Sequence, residues 1–273
     1  MSEDDPMKMA KDSLSLVTEV IKAAGDNPQV VEAANNLGQT AVTLTKTINN
    51  VLVPLAAINF AFDKAREYFS GRFQKDIAEK AEAIPPEHVV EPKASIAGPT
   101  LQGLAFTHEE PNLKEMYLNL LATAMDGRSS SLAHPAFVEI IKQLDSEDAR
   151  LVQGALKSSS PIPIIQIHRK LKAGGYNLLV NHLLDLKDTV TGSRLEDTQL
   201  PAMIDNWIRL GLVEVSYDKH LTDALHYSWA EMHPEFVRLS QMPQMEEAKI
   251  EYHKGVMQRT ELGKRFARAI GVQ

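Results

Sequence analysis

Pro161-Ile162-Pro163-Ile164-Ile165-Gln166-Ile167 decides how the C-terminal half of this 273-residue chain is read. β-Branched side chains suit a pleated strand, and prolines in a sheet are confined to edges and strand starts, so the run reads as a short edge strand. Upstream, His134-Pro135 opens a helix through Phe137, Ile140, Ile141 and Leu144, and Asp145 or Ser146 caps another to about Leu156. Downstream, two helices are expected over roughly 175–187 and 197–210, the second ended by Gly211. Leu212 to Tyr217 and the stretch around Tyr252 to Arg259 read as strands, and Thr260 caps a final helix through Ile270. Helix, strand, helix, helix, strand, strand, helix is the order of a winged helix. Its hairpin is enlarged by an insertion, about 218–250, with a helix of its own around Pro234 to Leu239.

Ahead of this region the apolar spacing is helical. Leu14, Val17, Val20, Ile21 and Ala24 recur at intervals of three and four, and a second helix starts at Pro28 behind Asp26 or Asn27. A third segment runs from Val51 to about Lys80. Ile84-Pro85-Pro86-Glu87-His88-Val89-Val90-Glu91-Pro92 cannot continue a helix, because proline lacks the donor and restricts the residue before it. It is a connector near 84–92. Helix resumes over Ala97 to Thr107 and from about Asn112 to Met125, and Gly127-Arg128-Ser129-Ser130-Ser131 breaks the pattern again. The expected fold is mainly α: a helical domain over 1–130, then a winged-helix-like α+β domain with a small antiparallel sheet over 131–273.

Composition narrows the chemistry. Hydrophobic residues make up 44% and charged residues 24%, near globular averages, so a packed fold is expected. The absence of cysteine excludes disulfides, thiolate ligands and a cysteine nucleophile. Met1-Ser2-Glu3-Asp4-Asp5-Pro6 is acidic where a secretory leader carries positive charge, which makes the cytoplasm the expected location. A net charge of −7 disfavours nucleic acid or an anionic membrane except at a local basic patch.

No Gly-rich phosphate loop, G-x-S-x-G elbow or H-E-x-x-H occurs, so no catalytic residue is assigned and no enzyme is expected. None of the nine histidines forms a helical i,i+4 pair. His220, His226 and His233 come closest together, at spacings with no ligand mechanism, so no metal or other cofactor is expected. Glu109-Glu110 and Asp145-Ser146-Glu147-Asp148 read as acidic helix starts that favour the helix dipole.

Two patches carry the remaining binding candidates. Thr40 to Phe62 holds one charge, Lys46, and its apolar core includes Val51, Leu52, Val53, Leu55, Ile58, Phe60 and Phe62. A span needs about 20 predominantly apolar residues, so this segment reads as a buried core hairpin, with a segment that meets a membrane or partner after a trigger as the alternative. Positive charge gathers at Arg169, Lys170 and Lys172 and again at Arg259, Lys264, Arg265 and Arg268, the candidate contacts for nucleic acid or another anion. The helix at the recognition position, Leu200-Pro201-Ala202-Met203-Ile204-Asp205-Asn206-Trp207-Ile208-Arg209-Leu210, is acidic and apolar. Sequence-specific DNA reading, which asks for Arg, Lys, Asn or Gln toward the groove, is not expected from it.

Glu91-Pro92 through Ala97-Gly98-Pro99, Glu110-Pro111-Asn112-Leu113 through Met125-Asp126, and His134-Pro135-Ala136-Phe137-Val138-Glu139-Ile140-Ile141-Lys142-Gln143-Leu144 together resemble the abortive infection alpha family of bacterial proteins. Trp207-Ile208-Arg209-Leu210-Gly211-Leu212 and Thr260-Glu261-Leu262-Gly263-Lys264-Arg265-Phe266 are similar to its closing elements. The resemblance covers roughly 70–270 and implies a role in defence against phage by shutdown or death of the infected cell. It supplies no catalytic residues. The expected mode is non-catalytic, as an effector or scaffold whose winged helix docks a protein partner or a second copy. No small-molecule substrate is identified. The alternatives are a membrane-disrupting effector using 40–62 and a nucleic-acid-binding regulator using the cationic clusters.

Overall fold

The structure, a computed structural model, describes residues 61–172, 174–187, 198–242 and 248–272. The helices read before Ala61 lie outside these residues. In chain order the described elements are α1 (Ala61–Gly71), α2 (Phe73–Ala81), α3 (Ala94–Thr107), α4 (Pro111–Met125), α5 (Pro135–Ile141) and α6 (Ser146–Lys157). They continue with β1 (Ile162–Lys170), β2 (Tyr176–Leu183), α7 (Leu200–Arg209), β3 (Val213–Ser216), α8 (Pro234–Gln241), β4 (Lys249–Arg259) and α9 (Glu261–Ala269). The fold is therefore mainly helical with one small antiparallel sheet, ordered β2-β1-β4-β3.

Local chemistry sets the helix starts. Asp145 accepts from the Asp148 amide at 2.7 Å ahead of α6, and Thr260 accepts from the Gly263 amide at 2.9 Å ahead of α9. Two histidines do the same work. Nδ1 of His134 accepts from the Ala136 amide at 3.1 Å, and Nδ1 of His233 accepts from the Glu235 amide at 3.2 Å, each with proline next in the chain. Proline at a first helical position gives up a donor that had no partner there anyway.

By contacts the chain divides into two units: residues up to Arg150 together with those from Phe266 on, and Leu151–Arg265. In the first unit, α1 to α5 bury Phe73, Ile77, Leu104, Leu120 and Phe137 completely. Phe69 and Phe73 meet edge to face at 5.0 Å, and Phe137 meets Phe266 at 5.4 Å. The end of α9 is closed by side chains of α4: Asn119 donates to the Ile270 carbonyl and Thr123 to the Ala269 carbonyl, both at 2.9 Å. These are helix-terminal carbonyls without helical donors. The Pro-rich connector and the break after α4 satisfy each other, because Val90 donates to the Met125 carbonyl and Gly127 to the His88 carbonyl, both at 2.8 Å. Residues 131–150, expected with the C-terminal domain, thus share a core with the helices before them.

In the second unit the sheet departs from expectation at one place. The helix expected over 175–187 is strand β2. Gly174 and Gly175 take φ of 95° and 80°, left-handed geometry that glycine adopts without strain, and turn the chain back on β1. β2 then pairs antiparallel with β1 from Lys170↔Tyr176 to Ile165↔Leu183. β1 is consequently interior to the sheet and nine residues long, where a short edge strand was expected. Between β3 and β4 lie two 3-10 turns, Ala224–Tyr227 and Ala230–Met232, and α8, which carries the expected insertion helix.

Two glycines predict opposite responses to the same substitution. A Cβ at Gly103 in α3 would fall 2.3 Å from Cζ of Tyr117, which is 1% exposed, whereas one at Gly154 in α6 meets nothing within 4 Å. Gly103→Ala is expected to destabilise by about 1–3 kcal/mol through overpacking. Gly154→Ala is expected to stabilise by about 0.5–1 kcal/mol through helix propensity. Urea denaturation of the two variants checks both signs.

Candidate functional site

The register of β1 with β4 is unbroken from Ile162↔Met257 to Lys170↔Lys249, so alternate residues sort cleanly onto two faces. Ile165 and Ile167 of β1, Val180 and Leu183 of β2 and Ile250 and Tyr252 of β4 occupy one face. The insertion packs there, with Tyr227, Trp229, Ala230 and Leu239 completing an apolar cluster. Its polar atoms are satisfied in place. The Tyr227 hydroxyl donates to the Gly255 carbonyl at 2.8 Å and accepts from the Leu221 amide at 3.1 Å, and Trp229 Nε1 donates to the His226 carbonyl at 2.9 Å. Lys254 Nζ sits 5.2 Å from the Tyr227 ring centroid.

The opposite face is apolar and buried at Ile164 and Met257 but polar and aromatic toward the Lys170 end of β1. Gln166 stands opposite His253, His168 opposite Glu251 and Leu178, and Lys170 opposite Lys249 and Tyr176. The Tyr176 ring lies on His168 with centroids 4.3 Å apart and planes 7° apart, and the His253 ring lies 3.8 Å from His168. Packed against both rings, the second tilted 58° to it, His168 is 2% exposed. Its Nε2 meets Gln166 Oε1 at 3.1 Å, Gln166 donates to Asn181 at 2.8 Å, and its Nδ1 has no hydrogen-bond partner among the described residues. Burial, with the neighbouring His253 second, holds the His168 imidazole below its usual range, so it stays neutral near pH 7.

A second constellation joins β2, α7 and the residue after β3. His182 Nε2 meets Asp205 Oδ1 at 3.2 Å, and His182 Nδ1 meets the Tyr217 hydroxyl at 2.9 Å. The backbone amide of His182 also donates to that hydroxyl at 3.3 Å. With Nε2 carrying the proton toward the carboxylate, Nδ1 accepts from the phenol and every partner is satisfied. Burial lowers the His182 pKa against the opposing pull of Asp205, and burial raises that of Tyr217 well above its ordinary value. His182 has φ of 56°, left-handed geometry uncommon outside glycine, so three elements hold this side chain in a strained backbone. Carboxylate, imidazole and phenol in series can orient a proton, and here they tie three elements together.

The residues singled out in the sequence are dispersed. Lys170 lies on the polar face, 3.5 Å from Glu251, and Lys172 is in the turn before β2. Arg169 falls on the opposite face to Lys170, opposite Ile250, with its Nε buried and without a hydrogen-bond partner among the described residues. Arg259 donates to the Leu156 carbonyl at 2.8 Å and, with Lys264, lines a cavity of about 350 Å³ that also holds Ser158, Ser159 and Glu214. Lys264 pairs with Glu261 at 2.6 Å, and Arg265 and Arg268 follow it along α9. Val51, Leu52, Val53, Leu55, Ile58 and Phe60 lie outside the described residues, and Phe62 falls in the first turn of α1. Among the described residues no helix is long and apolar enough to cross a membrane, and no group of three or more His, Asp and Glu could hold a metal. The stacked rings and the Asp205, His182, Tyr217 series were missed from the sequence, since their members come from separate elements.

Both buried imidazoles give stability a pH dependence of one sign. Each has a folded pKa below its unfolded value of about 6.5, so the unfolded chain binds more protons below that pH. Stability is full above about pH 6.5 and is lost as the pH falls toward the folded values. Urea midpoints measured at pH 7.5 and 5.5 should drop on acidification. The drop should be smaller for His168→Gln and for His182→Asn, since asparagine tolerates the left-handed backbone.

A family model described as abortive infection alpha matches residues 65–270. No curated protein and no solved structure matches the chain. The family match takes in both units, the two-faced sheet and the His182 series, and covers well over half of the 273 residues. The chain belongs to the abortive infection alpha family.

Proposed function

We propose that this protein acts in abortive infection defence by docking a protein partner, without catalysing a reaction of its own. Family membership supports the defence role. The docking mode rests on one observation: the insertion between β3 and β4 buries its aromatic residues on the sheet while presenting large apolar side chains outward. Leu225 is 76% exposed and Met232 65%, with Val237 and Met242 also exposed on α8 and just after it. Large apolar side chains held outward on a fixed base are what a protein interface buries.

In this reading the second unit is a winged-helix derivative. α6, β1, α7 and the β3–β4 hairpin keep the winged-helix order, β2 replaces the middle helix, and the insertion is the enlarged wing. α7 is unsuited to reading DNA. It buries Leu200, Ile204 and Trp207, Asp205 is committed to His182, and Arg209 donates to Asn206 at 2.6 Å. The chain around it is a docking and support element, with the helical unit as effector or scaffold.

Cells expressing the chain should limit phage yield, and Leu225→Asp combined with Met232→Asp should abolish that protection while leaving the thermal unfolding midpoint unchanged. Protection at the wild-type level in the double variant would count against docking through the insertion. Loss of protection in Asp205→Asn at an unchanged midpoint would instead place chemistry at His182.

A further inference from the structure

We infer that the polar face of the sheet, opposite the insertion, binds single-stranded nucleic acid without sequence preference. The surface is distinct from the docking surface proposed above. Three rings from three adjacent strands cluster on it: Tyr176 of β2 stacks on His168 of β1 with planes 7° apart, and His253 of β4 is tilted 58° to His168 and meets Tyr176 edge-on at 5.3 Å. Tyr176 is 58% exposed although its ring is fixed in plane by the buried imidazole beneath. A ring held flat, backed on one side and open on the other, presents a π-face to a base at little entropic cost. Leu178, 49% exposed in the next row, extends the apolar surface beside it.

The cations lie where a backbone would run. Lys170 and Lys249 occupy the same row as Tyr176, with side chains 61% and 76% exposed, and Lys172 is exposed in the adjoining turn. Glu251, the one carboxylate in these rows, lies between the two lysines at 3.5 and 3.2 Å and is 30% exposed. Exposed pairs of this kind hold their partners weakly, so both ammonium groups can turn to phosphates. In a chain of net charge −7, three lysines around an exposed ring make a local patch that matches a polyanion carrying stackable bases. Gln166, Asn181 and His253 in the third row add hydrogen-bonding groups for base edges or sugar hydroxyls. Duplexes hide their base faces, so an exposed ring selects single strands. The requirement for a ring separates this ligand from an anionic lipid surface, which would need the lysines alone.

Fluorescence anisotropy of the full chain with labelled 20-nucleotide oligo-dT and oligo-U tests this, with an unlabelled duplex and phosphatidylserine vesicles as competitors. Both strands should bind in low salt, and the duplex and the vesicles should compete poorly. Tyr176→Ala should weaken binding about 5- to 100-fold, the range expected for losing one stacked base. Tyr176→Trp should retain it, and Lys170→Ala with Lys249→Ala should flatten its salt dependence by about two phosphate contacts. Preference between the two strands identifies DNA or RNA as the ligand. No binding of either strand, equal affinity in Tyr176→Ala, or vesicle binding that survives Tyr176→Ala would each overturn the inference.

Discussion

The pairing of β1 with β4 fixes what the second unit can be. Nine consecutive residues face each other without a slip, and a strand has a period of two, so each side chain of Ile162–Lys170 is assigned to a face. A slip of one residue would put Gln166 and His168 into the insertion's core and expose Ile165 and Ile167. Burying two polar side chains without their present partners costs on the order of 1–3 kcal/mol each, and the isoleucines would lose a comparable amount of burial. The register is therefore strongly determined. The insertion, the ring stack and the anchoring of His182 all follow from it, since each is attached to one face or one end of the same ladder.

Helix boundaries were legible in the sequence because their causes are local. Asp145 and Thr260 cap as read, and His134-Pro135 and His233-Pro234 start helices because an imidazole nitrogen one residue before proline reaches the amide two positions on. That role also accounts for His233, which stood out with His220 and His226 as a loose grouping. Residues 176–183 were misread because Leu179, Val180, Leu183 and Leu184 fall at spacings a helix also uses. Gly174-Gly175 carried the correcting signal. Two glycines between a β-branched run and Tyr176 are turn chemistry, and they convert the apolar stretch that follows into the partner strand.

The candidate sites were less legible, for a different reason. Asp205 lies on α7, His182 on β2 and Tyr217 just after β3, and nothing in their spacing announces a hydrogen-bonded series. The Tyr176, His168 and His253 cluster depends on register across three strands, which sequence periodicity does not supply. Charge runs were visible but misleading as units. Arg169 and Lys170 are neighbours in the chain and lie on opposite faces of the sheet, so the cluster read from the sequence splits, and Lys249 joins Lys170 instead. The two sides of one sheet thus carry surfaces of different chemistry, one apolar under the insertion and one polar around Tyr176 and His168.

The two-faced sheet is tested most directly by residue-resolved amide hydrogen exchange of the native chain followed by NMR. The account predicts slow exchange throughout the interior of β1, whose amides bond to strands on both sides, with the pairing amides of β4 similarly slow and alternate amides of β2 open. Uniform protection across Tyr176–Leu183, as a helix gives, together with fast exchange on the β2-facing amides of β1, would contradict it.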